Sequence, residues 1–282
     1  MTQVSFEFFP AGTDQGTQTL VDTAAALAEA FHPRFVSVTY GAGGTTQDRT
    51  LRSVRELSAR LRVPIAGHLT CTGASIAQTH AVLDQYLDTG VSHVVALRGD
   101  QQVGSVSPHQ VGYETAADLV AGIRARPDGG KLKIFVAAYP EVHPLAKSAS
   151  DDLENLKRKL DAGADEAITQ FFFDPDVFMS FLDRARSANI EAPIVPGLMP
   201  IANFDNLRRF AATCGTRIPQ WLTDLMAGTH DDPQLRQMLA ASVIAQQCQQ
   251  LEAAGVEKFH LYTMNRQPLT ATACHILGLN QR

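Results

Sequence analysis

Apolar residues in this chain come either in short runs or in stripes at helical spacing, and the two kinds of segment take turns along its whole length. Val4-Ser5-Phe6-Glu7-Phe8-Phe9-Pro10 alternates as a strand, with Val4, Phe6 and Phe8 on one face and Ser5, Glu7 and Phe9 on the other. That puts a carboxylate inside a strand. Leu20, Val21, Ala24, Leu27 and Ala28 predict a helix over 17–30, and strand character returns over 35–40. Gly41-Ala42-Gly43-Gly44 precedes a helix over 47–61 carrying Leu51, Val54 and Leu57, and a strand follows over 65–69. A helix over 76–87, ended by Gly90, leads to the run Val94-Val95-Ala96-Leu97, which suits a parallel strand covered on both faces. That run passes directly into Arg98-Gly99-Asp100, where the glycine lets the backbone turn.

The same rhythm continues. A helix over 113–125 ends at Pro127-Asp128-Gly129-Gly130, and a strand follows over 134–139. Leu153, Leu156 and Leu160 stripe the next helix, Gly163 stops it, and 167–173 reads as strand. A helix across Phe178, Phe181 and Leu182 leads to a short seventh strand over 193–197. Helices over 204–212 and 235–253, a strand over 258–262 and a helix over 269–277 complete the chain. Eight strands, each with a helix behind it at intervals of roughly 30 residues, suit right-handed βαβ units closing into a barrel. The prediction is an α/β fold, a single-domain (β/α)8 TIM barrel over residues 1–282. An open doubly wound sheet competes, but it rarely needs so many regular units without a second domain, and no linker divides the chain.

Composition narrows the partners. The chain has 282 residues, 45% hydrophobic and 19% charged, and a net charge of -5, with no run of Lys and Arg interleaved with aromatics. Nucleic acid is excluded as an expected partner. No apolar run approaches the roughly 18 residues of a membrane span. The first strand begins at Val4 with no room for a signal peptide, so no membrane partner and a cytoplasmic location are expected. Cys71, Cys214, Cys248 and Cys274 lack metal-ligand spacing and read as buried thiols, with no metal site. His80 and His93 sit among apolar residues and receive no role.

Barrels carry their sites on the loops after their strands, so polar residues should collect there. They do: Thr39-Tyr40, His68, Arg98-Gly99-Asp100, Tyr139-Pro140-Glu141-Val142-His143, Gln170 and Tyr262-Thr263-Met264-Asn265-Arg266 all close strands. Glu7 shares the inward face with Ser5. Burial there should raise its pKa and make it a proton donor near neutral pH, unless Arg or Lys pairs with it. Neutralisation by Arg98 or another barrel charge is the equal alternative. Gly41-Ala42-Gly43-Gly44 lacks the G-x-G-x-x-G order of a dinucleotide turn and indicates only a tight turn near some ligand. Ser148 and Asp151 suggest a capping box. Asp152, Asn155 and Lys159 then share a stripe with Arg158 adjoining, either a solvated face or a diphosphate or ribose contact.

Taken together, SFEFFP, VSVTYGAGG, HLTC, ALRGD, AAYPEVHP, NLKRK-DAGA, AITQFFFD and FHLYT-NR resemble, in order and over nearly the whole chain, the methylenetetrahydrofolate reductase family. The resemblance implies an FAD-bearing barrel, NADH or NADPH as electron donor, ping-pong kinetics through reduced FAD, and reduction of 5,10-methylenetetrahydrofolate to 5-methyltetrahydrofolate for methionine synthesis. It implies small-molecule substrates and a homo-oligomer. By the same resemblance Glu7 matches the family's general acid, and Asp100 a carboxylate beside flavin and pterin. Asp100, Gln170, Phe210 and Arg266 match substrate contacts. Thr39, Tyr40, Ala42, His68, Arg98, Gly99, Asp100, Tyr139, His143, Ala146, Asp152, Asn155, Arg158 and Lys159 match FAD contacts. One departure stands out: the family commonly follows F-F-P with Pro and then Lys or Arg, and here Ala11 and Gly12 follow Pro10. The chain also ends just after its eighth helix, so the S-adenosylmethionine-sensing domain of eukaryotic members is not expected. A different FAD barrel oxidoreductase, acting on amines or proline, and a non-catalytic folate- or flavin-binding subunit are the alternatives.

Overall fold

The computed structural model describes residues 1–40, 47–99, 112–229 and 231–279. Within them run the strands β1 (Gln3–Phe8), β2 (Val36–Val38), β3 (Ile65–Thr70), β4 (His93–Leu97), β5 (Lys133–Ala138), β6 (Glu166–Thr169), β7 (Ile194–Val195), β8 (Gly197–Leu198) and β9 (Lys258–Tyr262). All pairings are parallel, in the order β7-β6-β5-β4-β3-β2-β1-β9-β8. β7 and β8 stand at opposite ends of that order, yet only Pro196 separates them in the chain, so the sheet curls round into a nearly closed barrel.

The predicted seventh strand is therefore two. Proline has no N–H to give a ladder and is confined to strand edges and breaks. Here it hands the chain from one neighbour to the next: β7 pairs with β6, β8 pairs with β9, and the Pro196 carbonyl accepts the His260 N–H at 2.9 Å. The helices are α1 (Asp14–Phe31), α2 (Gln47–Arg60), α3 (Ile76–Asp88), α4 (Ala116–Arg124), α5 (Ala149–Asp161), α6 (Pro175–Ser187), α7 (Phe204–Cys214), α8 (Gln220–Met226), α9 (Pro233–Ala253) and α10 (Gln267–Ile276). Of these α8 was not predicted, being too short to show a helical stripe.

The alternation in β1 sorts its side chains as expected. Val4, Phe6 and Phe8 join the main core between barrel and helices, together with Leu20, Leu27, Val54 and Leu83. Inside the barrel a separate apolar layer of Phe35, Ala66, Val95, Phe135 and Ile168 fills the lower half, with Phe35 stacked on Phe135 at 4.4 Å. Below that layer Glu166, 3% exposed, is clamped by Arg34 at 2.6 Å and by Lys133 and Lys258 at 3.3 Å each. Burial pushes the Glu166 carboxyl up, but the Arg34 hydrogen bond and the charges of all three cations outweigh it and hold it below the ordinary carboxylate range.

One close approach fixes the upper half. The fully buried Tyr86 ring of α3 lies over Gly67 of β3, where a Cβ would come within 2.5 Å of the ring. Only glycine admits the helix at that distance. The Tyr86 hydroxyl then donates to the His68 carbonyl at 2.7 Å, fixing the backbone of the residue that turns into the barrel mouth.

Candidate active site

Register brings inward polar groups of three strands together on two neighbouring levels: Glu7 of β1 lies opposite Ser37 and Tyr262, and Ser5 opposite His260. Glu7 is 7% exposed. Its Oε2 meets His68 Nε2 at 3.1 Å, His260 Nε2 at 3.2 Å and the Ser37 hydroxyl at 3.3 Å. With the proton on Nε2 both rings donate to the carboxylate. The His260 Nδ1, 2.8 Å from Ser5 Oγ, is then free to accept the serine proton.

Burial would raise the Glu7 carboxyl, as the sequence predicts, but the His68 charge and hydrogen bonds from both imidazoles reverse the sign and hold it well below the ordinary range. The expected raised pKa is thus corrected. The compensating charge comes from histidine, not from Arg98 or a lysine. Protons in this cluster belong to the imidazole–carboxylate unit as a whole. The backbone above it is tied down: Thr263 donates its N–H and its hydroxyl to the Glu7 carbonyl at 3.0 and 2.7 Å. Asn265 bonds both the N–H and the carbonyl of Phe9.

A second group surrounds the β5–α5 loop. Ser148 caps α5 by accepting the Asp151 N–H at 3.1 Å, while the Asp151 carboxylate takes the Lys147 N–H, so the predicted capping box closes one residue early. Buried Asp152 accepts the His143 N–H at 2.9 Å, His143 packs edge-on to Tyr139 at 4.5 Å, and the Ala146 N–H returns to the His143 carbonyl. Helix side chains lean toward the helix N-terminus. Lys159, in the last turn of α5, accordingly reaches the Ala137 carbonyl near the carboxyl end of β5 at 2.5 Å. Burial draws its ammonium down to about 8, the Asp152 charge opposing. Arg158 lies exposed and donates to Asn155 Oδ1 at 3.1 Å.

The remaining predicted residues spread around the same mouth. Half-buried Arg98 offers its carbonyl to Cys71 and Thr72, and Gly99 follows with φ of 88°. The Thr39 carbonyl accepts the Thr50 hydroxyl at 2.9 Å, with Tyr40 half-buried beside it. Gln170 Oε1 accepts the Phe171 N–H at 3.0 Å, and exposed Phe210 of α7 stacks on the Phe171 ring at 5.5 Å. Arg266 is exposed at the start of α10. Ala42 and Asp100 lie outside the described residues. The structure thus joins Glu7 to His68, and His143 to Asp152. It links Gln170 to Phe210 only through Phe171, and Arg266 makes no side-chain hydrogen bond among the described residues.

Sequence reading gave no role to His260. Its signal was nonetheless present, because alternation along β9 places His260 on the same inward face as Tyr262, whose hydroxyl donates to the Thr169 carbonyl at 2.7 Å. No group of three or more metal-ligating side chains occurs among the described residues, and none of their helices is long and apolar enough to cross a membrane.

A parallel barrel that holds a buried, imidazole-flanked carboxylate, with Lys159 of α5 reaching the end of β5, is a (β/α)8-barrel protein, a class that carries its sites at the carboxyl ends of the strands. The profile of the family described as methylenetetrahydrofolate reductase matches residues 1–278. The chain is 43% identical over 276 residues to 5,10-methylenetetrahydrofolate reductase of Pectobacterium carotovorum subsp. carotovorum, a match covering 98% of this chain and 90% of that protein. Against the protein of the same name from Escherichia coli (strain K12) the identity is 42% over 276 residues, with 98% and 90% covered. Methylenetetrahydrofolate reductase (NADH) 1 of Zea mays is 37% identical over 289 residues, 99% of this chain and 48% of that protein. The chain belongs to the methylenetetrahydrofolate reductase family, oxidoreductases of folate one-carbon metabolism. Its fold is shared by a solved structure described as an uncharacterized protein from Clostridium thermocellum that binds two copies of 5-methyl-5,6,7,8-tetrahydrofolic acid. That match has a TM-score of 0.64 at 15% identity, covering 98% of this chain and 93% of that one.

Proposed function

We propose that this chain reduces 5,10-methylenetetrahydrofolate to 5-methyltetrahydrofolate with NADH or NADPH as donor, in ping-pong fashion through FAD, and so supplies methyl groups for methionine synthesis. We further propose that it acts as a homo-oligomer in the cytoplasm. The observation that carries this reading is the Glu7 carboxylate held between His68 and His260 inside the barrel mouth.

Bound FAD supplies a carrier that takes hydride from the nicotinamide and passes it to folate. The residues around the β5–α5 loop fit such a dinucleotide. The Lys159 ammonium is desolvated while touching a carbonyl, which leaves its charge available to a diphosphate. Asp152, Asn155 and Arg158 share its helix, Tyr139, His143 and Ala146 form the loop above, and Thr39, Tyr40, His68, Arg98 and Gly99 line the neighbouring strand ends. Ala42 and Asp100 join this set on the strength of the family resemblance, Asp100 as a carboxylate able to favour a cationic folate electrostatically.

Glu7 has the chemical task. Opening the five-membered ring of the folate requires a proton on a poorly basic leaving nitrogen, and Glu7 delivers it. Because the imidazoles hold the carboxyl ionised, the step draws on a protonated imidazole of the pair: its Nε2 proton moves to Glu7 Oε2 as Oε2 gives a proton to the substrate nitrogen, leaving that imidazole neutral. Gln170 and Arg266 hold the substrate, and Phe210 stacks on it.

Hydride transfer to the flavin needs no such proton. Glu7→Gln keeps the volume and loses the acid, and a positioned acid contributes on the order of 10² to 10⁴ in rate. Anaerobic stopped-flow should show flavin reduction by NADH or NADPH within a few-fold of the parent protein, then almost no reoxidation by methylenetetrahydrofolate. If both half-reactions fall together, Glu7 holds the barrel mouth and the acid lies elsewhere.

A further inference from the structure

Glu141 has no part in the chemistry just described, yet it joins two pieces of the site that are distant in sequence. Its Oε2 accepts the backbone N–H of Arg217 at 2.7 Å, and the Arg217 guanidinium lies 3.9 Å from Glu141 Oε1 and 3.9 Å from Asp174. Glu141 belongs to the loop after β5, which holds Tyr139 and His143. Arg217 belongs to the segment after α7, the helix that carries Phe210.

The joint is tight on both sides. Val142, next to Glu141, has φ of 105°, a region that a β-branched residue enters only when its surroundings force it there. It is pinned by Glu141 before it and by the His143 N–H to Asp152 after it. Opposite stands Gly215, the residue that ends α7, with φ of 75°. A Cβ there would lie 2.8 Å from the Pro144 ring, so both backbone angle and space demand glycine. One residue on, the Thr216 hydroxyl donates to the Phe171 carbonyl at 2.9 Å, and Phe171 is the ring on which Phe210 stacks.

We propose that Glu141 is a positioning residue that fixes α7 against the cofactor-side loop and thereby sets where Phe210 meets the substrate. The proposal rests on the reading of Phe210 as a substrate contact. A side chain that only supported the fold would affect stability and turnover together. One that acts through Phe210 affects substrate capture and loses its effect when the phenyl ring is gone.

Glu141→Ala should raise the KM for methylenetetrahydrofolate on the order of fivefold, less than the more than tenfold a whole charge-assisted hydrogen bond is worth because only part of it acts on Phe210, with kcat little changed. Glu141→Gln keeps an oxygen acceptor for the Arg217 N–H and should restore most of the loss. In a Phe210→Ala background Glu141→Ala should add nothing further. Independently of turnover, amide exchange at Arg217 and in the last turn of α7 should quicken in Glu141→Ala. Glu141→Asp, one methylene shorter, withdraws the acceptor and serves if the alanine variant does not fold. Additive effects of the Glu141 and Phe210 substitutions, or unchanged exchange at Arg217, would overturn the role of Glu141. A Phe210→Ala protein with the parent's KM would instead overturn the reading of Phe210.

Discussion

On the proposed reading, Lys159 sets the pH range over which FAD binds. Burial favours the neutral amine, so in the free protein its charge is lost as pH rises through about 8, well before an ordinary lysine would lose it near 10.5. An anionic diphosphate binds the charged form. FAD affinity is therefore expected to be full below about 8 and to fall as pH rises beyond it, because the anion must then also bring a proton to the amine. Fluorescence titration of FAD at a series of pH values checks this, and in Lys159→Met the alkaline decline should vanish along with part of the affinity. Glu7 runs the other way. Its carboxyl is depressed, so its favourable contacts persist from neutrality down to well below the ordinary carboxylate range.

Among the elements, β3 and α3 are held at a distance that only Gly67 permits. Gly67→Ala would place a methyl within 2.5 Å of the Tyr86 ring, and such overpacking typically costs about 1 to 3 kcal/mol. Calorimetry should register that loss as a lower Tm. Since Tyr86 also holds the His68 carbonyl, the folate half-reaction should slow more than the flavin half-reaction. The elements themselves were largely legible in the sequence, because alternation and helical stripes report directly which face is buried. Val4, Phe6 and Phe8 face the helices and Glu7 the interior, as the pattern of β1 demands. What escaped was decided by partners rather than by pattern. The break at Pro196 follows from which neighbour each half-strand meets, α8 is too short to carry a period, and the sign of the Glu7 shift depends on two histidines from other strands.

Across the molecule, the Glu166 ion cluster and the proposed site occupy opposite ends of the barrel. Glu166 closes the bottom with Arg34, Lys133 and Lys258, far from the strand ends where the site residues collect. Glu166→Ala leaves three cations facing one another. Breaking a buried pair costs about 3 to 5 kcal/mol, and the low end applies because Lys133 and Lys258 reach solvent. A Tm lower by ~6 to 10 °C with kcat unchanged is the expected result. The sign with pH follows from the depressed Glu166 carboxyl: its contribution is present above about 4.5 and is lost as pH falls through the native value.

The pairing of β1 with β9 also joins the two ends of the chain. Glu7 and His260 are 253 residues apart, and Glu7 and His68 are 61 apart. Contacts of such long range are slow to form, because the entropy of closing the loop is lost before any contact rewards it. A chain still in synthesis carries β1 to β6 before its last strand exists. It then lacks the second imidazole and the Thr263 bonds above Glu7. On the proposed role of Glu7, proton delivery is complete only once β9 has docked, so that topology itself orders folding before chemistry.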